Sequence, residues 1–264
     1  MTLLTVSDLT IRTGGKTLVE GLSFSLDEGE RIGLIGESGS GKSLTLLAVM
    51  GLLPTGLSAT GSILLDGTEI IGARERTLNG IRGRAAAPVF QEPRTALDPL
   101  MRMGRQIAEP LKRRGVRGSA LRRDVDDLLA QVALTDRDRI ARAFPHELSG
   151  GQRQRAAIAI ALAAEPKLLL ADEPTTALDV SVQADVLALI DRIATARRMA
   201  VVFVSHDLAV VTQVASRALV MQDGEVLERG DVRTLLTAPR HEYTAGLIAS
   251  ARRFENALER RMRP

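Results

Sequence analysis

Eight residues, Gly36-Glu37-Ser38-Gly39-Ser40-Gly41-Lys42-Ser43, restrict the folds open to this chain more than any other stretch. They fit G-x-x-x-x-G-K-[ST], a phosphate loop, and their context fits as well. RIGLIG (31–36) ahead of the loop reads as a buried strand, and KSLTLLAVMGLL (42–53) behind it has helical spacing that stops at Pro54. A strand that turns through glycines into a helix aims backbone N–H groups at one spot. The helix N-terminus adds about half a positive charge there, and the glycines keep Cβ atoms out of the way. Lys42 is then expected to reach the β- and γ-phosphates of a nucleotide, and the Ser43 hydroxyl to ligate Mg²⁺. With Leu44 opening the helix, Gly36, Glu37, Ser38, Gly39, Ser40, Gly41, Lys42, Ser43 and Leu44 form the expected nucleotide-binding segment.

A second glycine motif, LSGGQRQR (148–155), lies a hundred residues on. Ser149 is a good helix N-cap, and Gly150 and Gly151 permit close backbone approach to an anion. The stretch holds no acid and no lysine, so it offers binding without chemistry of its own.

The acidic candidates follow a run that reads as a buried strand, KLLLAD (167–172). A carboxylate at the carboxyl end of a parallel strand sits where such sheets bind ligands. Asp172 fits the Mg²⁺ role beside a phosphate loop, and Glu173 the polarising of an attacking water. His206 ends another apolar run, MAVVFVS (199–205), and Gln91 follows AAPVF (86–90). Taken singly, such a histidine is more often structural and such a glutamine merely solvated.

Apolar periodicity gives the organisation. VSDLTIRT and LSFSL alternate as strands, and GSILLDGTEI turns at Asp66-Gly67 and RALVMQDGEVLERG at Asp223-Gly224 as hairpins. From Glu92 to Ala163 the pattern becomes helical and rich in Arg and Leu. The expected fold is α/β, a mainly parallel sheet plus an antiparallel β region, with an inserted helical subdomain at 92–163. The whole of 1–264 is read as one domain, closing with a short tail at 236–264 that ends in a charged helix.

Composition narrows the classes. Lys+Arg 35 against Asp+Glu 32 leaves +3, too weak a field to argue for nucleic acid. The run KRRGVRGSALRR (112–123) lacks interleaved aromatics and reads as a solvated helical face. Zero cysteines exclude disulfides and thiolate-bound metals. The first residues lack a signal peptide's layout, and the longest apolar run, Ala156–Ala164, is too short to span a bilayer.

The loop, LSGGQ, LLLADEP, ALD (177–179) and VSHD (204–207) occur in the order of ABC-transporter ATPase subunits, which the chain resembles over about residues 3–250. The resemblance implies a P-loop ABC ATPase core hydrolysing ATP with Mg²⁺. It implies Glu173 as catalytic base, His206 as the switch histidine on the γ-phosphate, and Gln91 as a glutamine touching Mg²⁺ or water. Ser149, Gly150, Gly151 and Gln152 match the signature that closes over ATP held by a second subunit, and Asp179 matches an aspartate at the dimer seam. Where relatives carry an adenine-stacking aromatic, this chain has Arg12 and Thr13.

The stretches 89–109, 144–155, 171–184 and HEYTAGLIAS (241–250) resemble the dipeptide, oligopeptide and nickel importer branch. What that implies is a peripheral ATPase subunit on the cytoplasmic face of the cell membrane. Its partners would be a second ATPase subunit (paralogue or self), two integral permease subunits and an extracytoplasmic binding protein, with peptide, nickel or metal-chelate as cargo and no nucleic acid. Two other readings stay open: the ATPase of a phosphonate-breakdown complex, and a non-transport ABC ATPase acting on nucleic acid.

Overall fold

The structure, a computed structural model, describes residues 1–92, 96–176 and 178–250. It divides into two compact units, one of Met1–Ala73 with the chain from Val201 on, the other of Arg74–Ala200.

The first unit opens with an antiparallel sheet. Strands Thr2–Thr13 and Lys16–Asp27 pair, and Leu57–Leu65 pairs with the other edge of the first strand. Alternating Leu4, Val6, Phe24 and Leu26 bury one face, the period-2 signature of a half-covered sheet. The short strand Thr68–Glu69 returns through Asp66 and Gly67, whose φ values of 47° and 76° give the turn expected there.

In the same unit, Arg31–Ile35 lies between parallel partners, residues 201–205 of the strand Ala200–Ser205 and the strand Arg217–Gln222. Glu225–Asp231 adds an antiparallel edge through the turn at Asp223-Gly224. Ile32, Leu34, Ile35, Val201–Val204 and Ala218–Met221 are all buried. Continuous apolar strands of this kind are covered on both faces. A Cβ on Gly33 would lie 2.3 Å from Val211 Cγ1, so the helix Leu208–Thr212 presses directly on the central strand.

The second unit holds the parallel pair Ala86–Val89 and Leu168–Asp172 and most of the helices. Helix Met103–Arg113 buries Met103, Ile107 and Leu111, and helix Gly118–Gln131 buries Val125, Leu128 and Leu129. Helix Gly150–Ala163 buries Ala156, Ile158, Ala159 and Leu162. The arginine richness has a structural use here. Arg192 and Arg155 donate to the carbonyls of Gln131 (2.8 Å) and Val132 (3.2 Å), at the end of one helix. Arg114 and Arg197 donate to those of Ala163 (3.1 Å) and Leu162 (3.2 Å), at the end of another. Guanidinium donors there satisfy carbonyls that have no partner within the helix and complement its negative end.

Two local features depart from the sequence pattern. The helix Glu75–Ile81 buries only Leu78 and Ile81, too few apolar positions to register as a helical period. Within the stretch read as helical, residues 97–102 form bends and turns, and the helix Met103–Arg113 begins only after them. Turns precede it, held by the buried Gln106 side chain, which donates to the Asp98 and Met101 carbonyls and accepts from the Asp98 N–H. Of the expected charged helix over 250–264, all but residue 250 lies outside the described residues; 242–250 is helical. Among the described residues no helix is long and apolar enough to cross a membrane.

Gly104 is a close approach in the helical packing: a Cβ there would lie 2.9 Å from the Ala141 carbonyl oxygen. Gly104→Val is expected to overpack this contact and cost about 1–3 kcal/mol, read as a lower thermal midpoint with an unchanged far-ultraviolet dichroism spectrum before melting.

Candidate nucleotide site

The phosphate loop leaves the strand Arg31–Ile35 and enters the helix Lys42–Val49. Its corners are fixed by neighbouring backbone. A Cβ on Gly36 would lie 2.1 Å from the Met221 carbonyl oxygen. Gly41 caps the helix at φ 95°, with Leu18 O only 3.0 Å from where a Cβ would stand. No other residue type meets both demands without moving the strands around it. Ser40 is buried, Glu37, Ser38, Gly39 and Ser43 are exposed, and Leu44 is half-buried.

Lys42 is only 4% exposed. Its ammonium donates to the carbonyls of Gly36 (2.8 Å) and Glu37 (2.6 Å) and to Ser40 Oγ (3.1 Å). Burying a charge is costly unless donors and acceptors match, and the loop's own oxygens supply the match. A phosphate would offer the lysine charged acceptors, which bind roughly twice as strongly as neutral ones. On the outer side, the Glu37 N–H donates to Tyr243 Oη at 3.0 Å.

His206 follows the strand Ala200–Ser205 and is exposed. The turn around it is braced: Asp207 N–H donates to Ser205 Oγ at 3.0 Å, and Asp207 Oδ1 accepts the Ala209 N–H at 2.8 Å. Arg12 is exposed and Thr13 half-buried at the end of the first strand.

In the second unit, Asp172 is the last residue of the strand Leu168–Asp172. Glu173 next to it has φ 43°, a left-handed conformation that a non-glycine residue adopts at a cost and that clusters at functional sites. Glu173 Oε2 accepts from Thr176 Oγ1 at 2.8 Å and, at a longer 3.4 Å, from Gln91 Nε2. Gln91 and Glu173 are thus brought together by the parallel pairing of the strands that precede them. Thr176 was not anticipated. Its signal is a hydroxyl three residues after the carboxylate, across a turn closed by Thr176 N–H to the Glu173 carbonyl at 3.3 Å.

Ser149 caps the helix Gly150–Ala163 as its residue type predicts. Its Oγ accepts the Gln152 N–H at 3.2 Å, and Gln152 Oε1 accepts the Ser149 N–H at 3.1 Å. This reciprocal capping box fixes the helix start. The two glycines differ. A Cβ on Gly151 would lie 2.6 Å from Val182 Cγ1, so this glycine lets the helix pack against the helix Val180–Arg197. At Gly150 the nearest atom would be Leu178 Cδ2, at an ordinary 3.6 Å. Asp179 stands exposed at the N-cap of Val180–Arg197 and makes no side-chain cap bond.

A glycine loop between a buried strand and a helix, with its lysine already seated, defines a P-loop nucleotide-binding protein. The family model described as ABC transporter matches residues 19–176, and the chain belongs to that family. It is 45% identical over 268 residues to the oligopeptide transport ATP-binding protein OppD of Mycobacterium tuberculosis, covering 99% of this chain and 44% of that one. It is 42% identical to OppD of Bacillus subtilis, covering 97% of this chain and 74% of that protein. The probable D,D-dipeptide transport ATP-binding protein DdpD of Escherichia coli is 44% identical over 92% of this chain and 74% of its own. The chain therefore spans less than half the length of some of the curated relatives it matches. Among solved structures, the dimeric ATP-binding cassette MJ0796, in a post-hydrolysis state bound to ADP and Pi, matches with TM-score 0.78 and 30% identity. That match covers 88% of this chain and 99% of MJ0796. The fold is that of an ABC ATPase cassette.

Ser149→Ala removes one half of the capping box. The expected loss is about 1 kcal/mol of stability, measurable as a shift in the denaturant midpoint with an unchanged slope.

Proposed function

We propose that this chain is the ATP-hydrolysing subunit of a peptide importer, seated peripherally on the cytoplasmic face of a membrane. The observation that carries the reading is that one chain holds a preformed phosphate loop around Lys42 and a second, boxed helix start at Ser149. The second has no acid or lysine within it, which suits a surface that closes over a nucleotide held elsewhere. In the family that nucleotide lies on another subunit, and the dimeric MJ0796 cassettes support the same arrangement here. The names of the relatives, oligopeptide and D,D-dipeptide transport proteins, support peptides as cargo and an importer's permease pair and extracytoplasmic binding protein as partners. No observation favours the phosphonate-breakdown or nucleic-acid readings.

In this mechanism the loop N–H groups and Lys42 hold the β- and γ-phosphates of ATP. Glu173, oriented by Thr176 and Gln91, takes a proton from the attacking water. His206 reaches the γ-phosphate. Ser149, Gly150, Gly151 and Gln152 of one subunit close on the ATP of the other, with Asp179 at the seam. Among the described residues no cluster of three or more His, Asp or Glu side chains is placed to hold a metal alone. The donors on offer, Ser43 hydroxyl, Asp172 carboxylate and Gln91 amide, are hard oxygens. They suit Mg²⁺, which keeps several waters and shares the substrate phosphates. Bound there, it would neutralise charge developing on the transferring phosphate.

Glu173→Gln is expected to keep ATP binding, lower phosphate release by about 10²–10⁴-fold and trap an ATP-dependent dimer visible by size-exclusion chromatography. Turnover at the unmutated rate would remove Glu173 as the base. Mixing Lys42→Ala with Ser149→Phe chains, each inactive alone, should restore some hydrolysis, because mixed dimers contain one intact composite site.

A further inference from the structure

The motif HEYTAGLIAS has no part in the mechanism above, yet its tyrosine touches the phosphate loop. Tyr243 Oη accepts the Glu37 N–H at 3.0 Å, across 206 residues of sequence. That N–H belongs to the peptide group joining Gly36 to Glu37. The carbonyl of the same peptide group, Gly36 O, accepts from Lys42 Nζ at 2.8 Å. One rigid amide plane is therefore held at one end by the phenol and at the other by the lysine expected to bind phosphate.

The tyrosine is itself delivered by a braced turn. Glu228, half-buried on the strand Glu225–Asp231, accepts the Arg240 N–H at 2.9 Å and the His241 N–H at 3.1 Å. His241 Nδ1 then accepts the Tyr243 N–H at 3.1 Å. Burial pushes the Tyr243 phenol up; the Glu37 N–H bond opposes this, and the nearby Glu37 and Asp223 carboxylates reinforce it. The group stays a neutral phenol whose oxygen is free to accept.

We propose that Tyr243 is a positioning residue for nucleotide binding, fixing the Gly36–Glu37 peptide and through it the seat of Lys42. The strap Glu228–His241–Tyr243 thereby makes the segment after the last strand part of the phosphate site. This rests on the reading of the loop as an ATP site. Without the phenol the Glu37 N–H loses its acceptor, and the peptide that carries the lysine's Gly36 acceptor is held less firmly before phosphate arrives. The role is thermodynamic preorganisation, which lowers the ordering cost of binding.

The test uses the full chain with Tyr243→Phe, which keeps the ring, and Glu228→Ala, which keeps the phenol but releases the turn. ATP with Mg²⁺ is titrated calorimetrically, and amide exchange is followed in the ATP-free chain. Both variants are expected to raise the Kd for ATP about five-fold. That is about 1 kcal/mol at 1.4 kcal/mol per tenfold, the net worth of one neutral hydrogen bond. Binding stoichiometry should stay unchanged, and the Glu37 amide should exchange faster. A merely structural role would instead lower the stoichiometry and the melting temperature at constant Kd, and that result overturns the proposal. Unchanged Kd and unchanged Glu37 exchange overturn it too. No ATP binding by the unmutated chain would overturn the nucleotide reading itself, and with it this one.

Discussion

The ammonium of Lys42, buried at the end of a parallel strand, is the constraint around which the first unit is organised. A charge in that position needs several oxygens close by. The loop curls back on itself to supply two carbonyls and a hydroxyl, and it does so only because its corners are glycine. Those corners in turn press on the backbones of Leu18 and Met221, in strands that flank the loop. On the proposed reading this is an anion site whose cation is already in place, so little needs to be ordered when a phosphate arrives.

The second unit shows the same economy at two smaller sites. Glu173 is set in a left-handed conformation and then held by the hydroxyl three residues on, so backbone and side chain are fixed by one turn. Ser149 and Gln152 bind one another's backbone N–H groups and fix a helix start. In each case a few short-range hydrogen bonds, worth about 1 kcal/mol apiece, fix a candidate group on a rigid element. The elements themselves are held by apolar burial and by arginines on helix-end carbonyls.

Much of this was legible beforehand because it is local. The hairpins at Asp66-Gly67 and Asp223-Gly224, the strand–loop–helix at Gly36–Ser43 and the Ser149 cap depend on residues within a few positions of one another. Periodicity recovered the apolar strands because both of their faces are covered. It missed the helix Glu75–Ile81, which has only two buried positions, and it did not show the turns around Asp98 and Met101, which the Gln106 side chain holds.

What the sequence determined by itself is the type and order of the chemical groups: a phosphate loop, a boxed helix start and an acidic strand end, each specified by short spacing. What only the tertiary structure decided is which groups touch across long separations. Gln91 meets Glu173 because their strands pair in parallel. Gly151 serves the approach of Val182 rather than of a ligand alone. Tyr243 meets the Glu37 N–H because the chain folds back across 206 residues. Such contacts arise from sheet order and helix packing, which no local pattern of residues encodes.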